Sequence, residues 1–425
     1  MHITILTIGS RGDVQPYVAL GIGLRQVGHQ VRIATYDKFK ALVQDRGLTF
    51  YPIASDVSDI ARSLEGKGTL ELFRSLRRRA RLMPLLAERI WRDTLEACQG
   101  AEAIIYGFIA SLMGRCAAEK LGVPCFATSV FPIVSPTRAF PNLLFPALPL
   151  GGTYNWLTHL AFDRGLWRIV RLVYDHAKRR NPSLPSLSGW PFDWAQGGPD
   201  ERRRGQPSSI LYAYSPSVVP KPPDWDERRE VTGYWFLDSP ADWQPPDDLA
   251  AFLASGPPPV YVGFGSMGLR NPGKMTGIVL EALARSGQRG LLVEGWGGLG
   301  NADLPDGVFR VRSAPFDWLF TRMAAVVHHG GAGTTAIGLR AGVPSILVPF
   351  IADQPWWGHR VAALGVGPEP IPYKRLSAER LAAAIAAATS DQDMQRRAAA
   401  LGRQIRAENG VTRAIDAFHR HLLVT

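Results

Sequence analysis

The chain is short of cysteine, of acid and of long apolar runs, and each shortage removes a class of protein. Only three cysteines, Cys98, Cys116 and Cys125, occur in 425 residues. The number is odd and no CxxC pair exists. A disulfide framework and a zinc site are therefore not expected, and a reducing, cytoplasmic compartment is. No uninterrupted apolar run approaches the ~18 residues needed to span a bilayer. The opening segment ITILTI meets GSRGD at once, so it reads as a first buried strand and not as an export signal. The Leu-, Phe- and Pro-rich stretch 131–160 is interrupted by prolines and an arginine, which rule out a spanning helix. Acids number 37 against 48 bases, a formal charge of +11. That excess suits nucleic acid, an anionic membrane surface or a phosphate-bearing ligand. The basic residues form no motif interleaved with aromatics, so no nucleic-acid partner is expected.

What is present is an ordinary globular composition, 46% hydrophobic and 20% charged, in a chain long enough for two domains of roughly 200 residues. The first 130 residues alternate strands and helices. ITILTI, VRIATY, AIIYG and CFATS are strand candidates, and VALGIGLRQVG is a helix between the first two. The pattern fades over 131–230, where prolines and aromatics crowd and GGPDERRRGQP reads as an exposed loop. LDSPADWQPPDD, at 237–248, reads as a linker. A second alternation follows, with VYVGFGS, LLVEGW, VFRVRS, AAVVHHG and SILVPF as strands. The fold class is thus α/β: two Rossmann-like, doubly wound parallel-sheet domains facing across a cleft. Ligands in such folds sit at the carboxyl ends of the strands.

Four strand ends carry candidate chemistry. After the first comes GSRGDVQP, whose glycines allow a tight turn and whose helix start offers free amides to an anion. Asp13 there is either a first-turn acid stabilised by the helix dipole or a carboxylate that takes a proton from an acceptor hydroxyl. GFGSMG, with Gly263, Gly265, Ser266 and Gly268, fits a dinucleotide fingerprint or a phosphate-cradling turn, and Glu294 stands where a dehydrogenase would hold a ribose. HHGGAGTT is the sharpest signal: a strand ends in two histidines, small residues let backbone approach a ligand, and threonines open a helix. Adjacent strand residues point oppositely, so His328 and His329 are not expected to share a metal. His328 reads as structural and His329 as a pyrophosphate contact. Asp353 and Gln354 suit sugar hydroxyls, or are an ordinary turn before Pro355. The DxD-like strings Asp224–Asp226 and Asp391–Asp393 follow no buried strand and read as structural; no metal ligand is expected.

GSRGDVQP, GFGSM, GWGG, PFDWLF, HHGGAGTT and DQPWW together resemble the inverting nucleotide-sugar glycosyltransferases of GT-B architecture. Sterol 3-beta-glucosyltransferases and glycopeptide-antibiotic glycosyltransferases are the most similar groups. The resemblance runs over nearly the whole chain and is weakest over 131–230. It implies an acceptor-binding domain at 1–236, a linker at 237–248, a nucleotide-sugar-binding domain at 249–405 and a last helix, 406–425, that crosses back to the first domain. It implies Asp13 as the base and Ser10 and Arg11 near the donor phosphates. Gly265, Ser266, His329, Gly331, Gly333 and Thr334 would hold the pyrophosphate. Trp296, Ala314, Pro315 and Trp318 would frame the nucleobase and ribose, and Asp353 and Gln354 the sugar. UDP-glucose is the expected donor, with TDP-sugars as the alternative, and no cofactor or metal is expected.

The resemblance also implies an apolar alcohol as acceptor, sterol-like, polyketide-like or a flavonoid, bound by the region 131–195. The arginine- and leucine-rich segment 72–91 has two readings, a peripheral contact with anionic membrane or a solvated face. A non-catalytic lipid or sterol carrier is the rival from a different class. A dehydrogenase would leave HHGGAGTT and DQP unexplained, and an epimerase would carry more ionisable groups at the sugar.

Overall fold

The computed structural model describes residues 1–54, 83–180, 182, 184, 209–240, 242–265, 272–293 and 304–423. The chain divides into two compact units, Met1–Leu237 with Asn409–Thr425, and Asp238–Glu408.

In the first unit the order is β1 (His2–Leu6), α1 (Arg11–Gln26), β2 (Gln30–Tyr36), α2 (Lys40–Gln44) and β3 (Thr49–Ile53). It continues through α3 (Met83–Cys98), β4 (Ala103–Gly107), α4 (Ser111–Leu121), β5 (Cys125–Ser129), α5 (Gly151–Arg180), β6 (Ile210–Tyr212) and β7 (Arg229–Val231). The strands form one parallel sheet in the order β3-β2-β1-β4-β5-β6-β7. β1 pairs with β2 through Ile3 and Val31 and with β4 through Ile3 and Ala103. Parallel strands are covered on both faces and therefore read as continuous apolar runs, which is why AIIYG and CFATS are buried at every position.

The second unit holds α6 (Asp247–Ala254), β8 (Val260–Gly263), α7 (Pro272–Ser286), β9 (Gly290–Val293), β10 (Val308–Val311) and the short α8 (Phe316–Leu319). β11 (Ala325–His328), α9 (Ala332–Ala341), β12 (Ser345–Leu347), α10 (Gln354–Ala363), α11 (Ala378–Ser390) and α12 (Gln392–Ala407) complete it. Its parallel sheet runs β10-β9-β8-β11-β12. Period-two alternation sends Val262 and Val327 to one face, with Val279, Leu381 and Ile385, and Tyr261 and Val326 to the other, with Leu319 and Phe320. Of the segment expected as a linker, Ser239 donates to Asp317 of this unit and Asp247 opens α6.

The last helix, α13 (Gly410–Leu422), belongs to the first unit. Its buried stripe, Ala414, Ile415, Ala417 and Phe418, joins the core around β1 and α1. Phe418 meets Phe126 with ring centroids 4.6 Å apart. A Cβ on Gly23 of α1 would lie 2.5 Å from Val411, so a glycine is needed where the two helices cross. α5, thirty residues long, is the element that the sequence pattern does not reveal: it falls where the strand-and-helix alternation fades, and its exposed face is itself partly apolar. The segments GGPDERRRGQP and 72–82 lie outside the described residues.

If α13 is part of this core, truncating Phe418 to Ala should cost about 3–5 kcal/mol, the usual range for a large buried aromatic. Urea denaturation followed by tryptophan fluorescence measures it; a loss under ~1 kcal/mol would show that the helix is only laid on the surface.

Candidate functional site

Both sheets reverse their winding next to their first strand. In the first unit β2 and β3 extend to one side of β1 and β4 to β7 to the other. In the second, β9 and β10 lie on one side of β8, and β11 and β12 on the other. At such a switch point the two neighbouring crossovers leave in opposite directions and the strand ends stay open to a ligand. The candidate residues gather at these two places.

At the first switch point, Ser10 is the extended N-cap of α1 and Asp13 stands three residues on. Asp13 Oδ2 accepts hydrogen bonds from the Ser10 amide at 2.7 Å and the Ser10 hydroxyl at 2.8 Å. Oδ1 has no hydrogen-bond partner among the described residues. The two readings of Asp13 therefore coexist: one oxygen ties down the helix start, and the other stays available. Gly9 makes this possible. Its φ is +143°, and a Cβ there would lie 2.4 Å from Asp13 Oδ2. Burial raises the Asp13 pKa above the ordinary carboxylate value, and the Ser10 hydrogen bonds and the Lys38 charge only partly offset it.

Asp13 opens into a small pocket lined by Thr7, Ile8, Tyr17, Gly107, Phe108, Ile109, Val130 and Phe131. Its walls come from the ends of β1, β4 and β5, and Asp13 is the one carboxylate in it. Gly107 is small because the Tyr17 hydroxyl would stand 2.7 Å from any Cβ there, and that hydroxyl is in turn hydrogen-bonded to Thr128 Oγ1 at 2.7 Å. Phe108 and Phe131 meet edge to face at 5.8 Å. The region expected to bind the acceptor, 131–195, leaves out the wall that β4 supplies. The signal for that wall is the glycine that ends the buried run AIIYG, since ligands in such folds sit where strands end. Ser10 and Arg11 are exposed, and Arg11 Nε donates to Gln15 at 3.3 Å.

At the second switch point β11 ends in the histidine pair. His328 is fully buried, and its Nδ1 accepts the Gly330 amide at 3.1 Å. Burial, with His329 beside it, lowers its pKa to about 3, so it is a neutral structural ring. The two rings lie 6.3 Å apart at 85°, turned away from each other. His329 is half-buried, and burial lowers its pKa to about 4. Its Nδ1 is buried without a hydrogen-bond partner among the described residues. Two glycines flank the ring: a Cβ on Gly265 would come within 3.0 Å of it and one on Gly331 within 2.6 Å. Gly331 caps α9 with backbone alone, so the amides of Ala332, Gly333 and Thr334 meet no capping side chain. Thr335 turns inward, donating to the Gly331 carbonyl at 2.9 Å. An unsatisfied imidazole beside an uncapped helix start offers the donors that an anion could use.

Other predicted residues have more local duties. Ala352 takes φ +56°, a strained value for a residue with a Cβ. It sets Asp353 at the start of α10, where Oδ2 accepts the Trp357 indole N–H at 2.9 Å. Gln354 is buried, and its Oε1 accepts the Phe350 and Ile351 amides at 2.8 and 3.2 Å, fixing the strained loop. Ala314 is buried and Pro315 precedes α8. Trp318 meets the edge of Trp243 at 5.0 Å and the Arg322 guanidinium at 4.0 Å. Ser266, Gly268, Glu294 and Trp296 lie outside the described residues. The DxD-like strings are structural: Asp224 accepts from Thr137 and Arg138, Asp226 pairs with Arg229, and Asp391 caps α12. Among the described residues no three His, Cys, Asp or Glu side chains converge as a metal site.

The neutral His328 ties stability to pH. Its unfolded pKa is near 6.5 and its folded value about 3, so its contribution is complete above pH 6.5 and falls on acidification towards pH 3, by about 1.4 kcal/mol per unit. Between pH 7 and 5, His328→Asn should lose about 2 kcal/mol less than the parent protein, read from urea midpoints. Equal losses in the two proteins would mean that the ring is hydrated.

Residues 3–140 match the glycosyltransferase family 28 N-terminal domain, and residues 297–414 the C-terminal domain of erythromycin biosynthesis protein CIII-like proteins. The chain is 37% identical over 437 residues to a sterol 3-beta-glucosyltransferase of Arabidopsis thaliana, covering 99% of this chain and 68% of that protein. It is 37% identical over 442 residues to the sterol 3-beta-glucosyltransferase of Neurospora crassa, where 99% of this chain covers only 27% of the relative. The calicheamicin glycosyltransferase CalG4 superposes with a TM-score of 0.70 at 20% identity over 99% of this chain and 98% of that one. The glycosyltransferase VinC, solved in complex with DTDP, does so with 0.64 at 18% identity over the full length of both. These likenesses show the GT-B fold. The identity to the plant enzyme goes further: the chain is a glycosyltransferase and belongs to the family of the sterol 3-beta-glucosyltransferases.

Proposed function

We propose that the enzyme moves glucose from UDP-glucose to the hydroxyl of a sterol-like alcohol, with inversion at the anomeric carbon and Asp13 as general base. The observation that carries this reading is the Asp13 carboxylate, desolvated at an apolar pocket with one oxygen held and one open. A raised pKa makes this carboxylate a better base than one in water. The apolar walls suit the body of a hydrophobic alcohol, and the carboxylate suits its hydroxyl. Glucose and a sterol are what the plant and fungal relatives are named for, and VinC, solved with a thymidine nucleotide, keeps TDP-sugars as the comparison donor.

In this reaction the acceptor oxygen attacks C1 of the sugar as its proton passes to Asp13, and the C1–O bond to the nucleoside diphosphate breaks. The leaving pyrophosphate would lie at the start of α9, where the amides of Ala332, Gly333 and Thr334 and the unsatisfied Nδ1 of His329 can take up the growing charge. With that stabilisation supplied by the chain, transfer is expected to proceed in EDTA. Ser10 would serve chiefly to hold Asp13. Gln354 would serve by holding the Ala352–Asp353 turn against the sugar.

Asp13→Asn should lower kcat/KM for sterol glucosylation by about 10² to 10⁴ and leave the UDP-induced rise in Tm unchanged. Because burial raises the Asp13 pKa, its basic form fills as pH climbs through that value, so the acid limb of the parent pH–rate profile should vanish in the variant. Retained turnover would remove Asp13 from the mechanism. His329→Ala should show the complementary pattern, with UDP stabilisation reduced and acceptor KM little changed. An undiminished Tm shift would move the pyrophosphate elsewhere.

A further inference from the structure

Exposed apolar side chains are ordinary when scattered. Here they are concentrated: seven of the twelve large ones exposed among the described residues fall between Leu144 and Leu172. Leu144, Leu148 and Leu150 sit on the loop before α5, and Leu150 is 62% exposed. Trp156, Leu157, Ile169 and Leu172 sit on the helix itself, and Leu172 is 72% exposed.

The loop is not loose chain awaiting a place in the core. Asp224 accepts the Thr137 hydroxyl and the Arg138 amide, both at 2.7 Å. The Asn142 amide donates to Thr158 at 2.8 Å, and the Tyr154 hydroxyl donates to the Pro146 carbonyl at 2.8 Å. Its polar groups and Leu143 are turned inward while Leu144, Leu148 and Leu150 face outward.

Charge on the same face is net positive. The exposed stripe of α5 recurs at three- to four-residue spacing, 157, 161, 164, 168 and 172, and includes Arg164 and Arg168. Neither arginine has an ion-pair partner among the described residues. Nearby Asp175 is taken by Arg171 at 3.6 Å. Apolar side chains among unpaired arginines form the pattern of a helix that lies in the headgroup region of an anionic bilayer. A second copy of this chain fits less well, because it would set these arginines against one another.

We propose that the loop before α5 and the exposed face of α5 dock the enzyme on an anionic membrane, from which the acceptor alcohol enters the pocket. The chain itself links the two: Val130 and Phe131 line the pocket, and the backbone runs from them through this loop into α5. The docking surface stands on its own observations, while its role in supplying acceptor rests on the sterol reading above. It also differs from the segment 72–91 that the sequence suggests.

Co-sedimentation of the full chain with phosphatidylcholine vesicles, with and without phosphatidylserine, tests the surface without using activity. Binding is expected to the anionic vesicles only and to weaken with salt. Arg164→Gln with Arg168→Gln should weaken it about 25-fold, roughly fivefold per arginine removed. Ile169→Ser with Leu172→Ser should weaken it at least tenfold. All four side chains are exposed, so the Tm of each variant should match the parent. Transfer to sterol dispersed in cyclodextrin should be retained by both variants, and transfer to sterol in anionic vesicles reduced. Absence of parent binding, or parent-like binding by both variants, would overturn the docking surface. So would a dimer in sedimentation velocity that the Ile169/Leu172 variant dissociates, since that assigns the face to a second copy. Vesicle binding without transfer to sterol in any form would instead overturn the acceptor reading and leave the surface standing.

Discussion

Strands that are parallel and covered on both faces can present chemistry only at their ends. In both units the sheet interior is mostly apolar, from Ile3 and Ile5 through Ile104 and Ile105 to Val262 and Val327, and its buried threonines and serines are short. No polar side chain can reach a ligand from there. The reversal of winding beside β1 and beside β8 then leaves one place per sheet where adjacent crossovers part. Asp13 and its pocket occupy the first, and His329 with the start of α9 the second. The same topological device thus places a carboxylate at the end of one sheet and an uncapped helix start with His329 at the end of the other.

Glycines make each place work, for different reasons at each. Gly9 takes a backbone conformation that few other residues adopt, and it leaves the volume that the Asp13 carboxylate fills. Gly265 and Gly331 do not shape a turn alone; they clear both sides of the His329 ring. A side chain at either would push the imidazole away from the helix start. The strained Ala352 extends the pattern: a residue with a Cβ is held at positive φ because Gln354 bonds the two amides just before it. Strain maintained by a buried amide is typical of a loop that must hold one shape.

Histidines 328 and 329 show how one strand end separates structure from chemistry. Both are desolvated and both are held neutral. His328 accepts a backbone hydrogen bond on Nδ1 and closes the turn. Its buried Nε2, like Nδ1 of His329, has no hydrogen-bond partner among the described residues; only His329 is partly exposed, beside the start of α9. Leaving such a group unpaired is costly, and a phosphate oxygen would satisfy it. Around Asp13 the balance differs, because the pocket walls and part of the outer face of α5 are both apolar. The first is small and holds a carboxylate; the second is broad and ringed by arginine.

Much of this is legible in the amino-acid sequence. Apolar runs of four to six residues mark the strands, HHGGAGTT and GSRGDVQP mark the two ligand ends, and the opposite projection of adjacent strand residues separates His328 from His329. These are short-range properties, determined by residue type and spacing. What the sequence does not determine depends on residues brought together from afar. The pocket joins the ends of three strands, α13 packs against α1 across nearly the whole chain, and α5 hides its periodicity because its solvent face is partly apolar. Whether Asp13 caps a helix or serves a substrate also lies beyond local pattern. Only the tertiary structure shows that the cap occupies a single oxygen and leaves the other without a partner among the described residues.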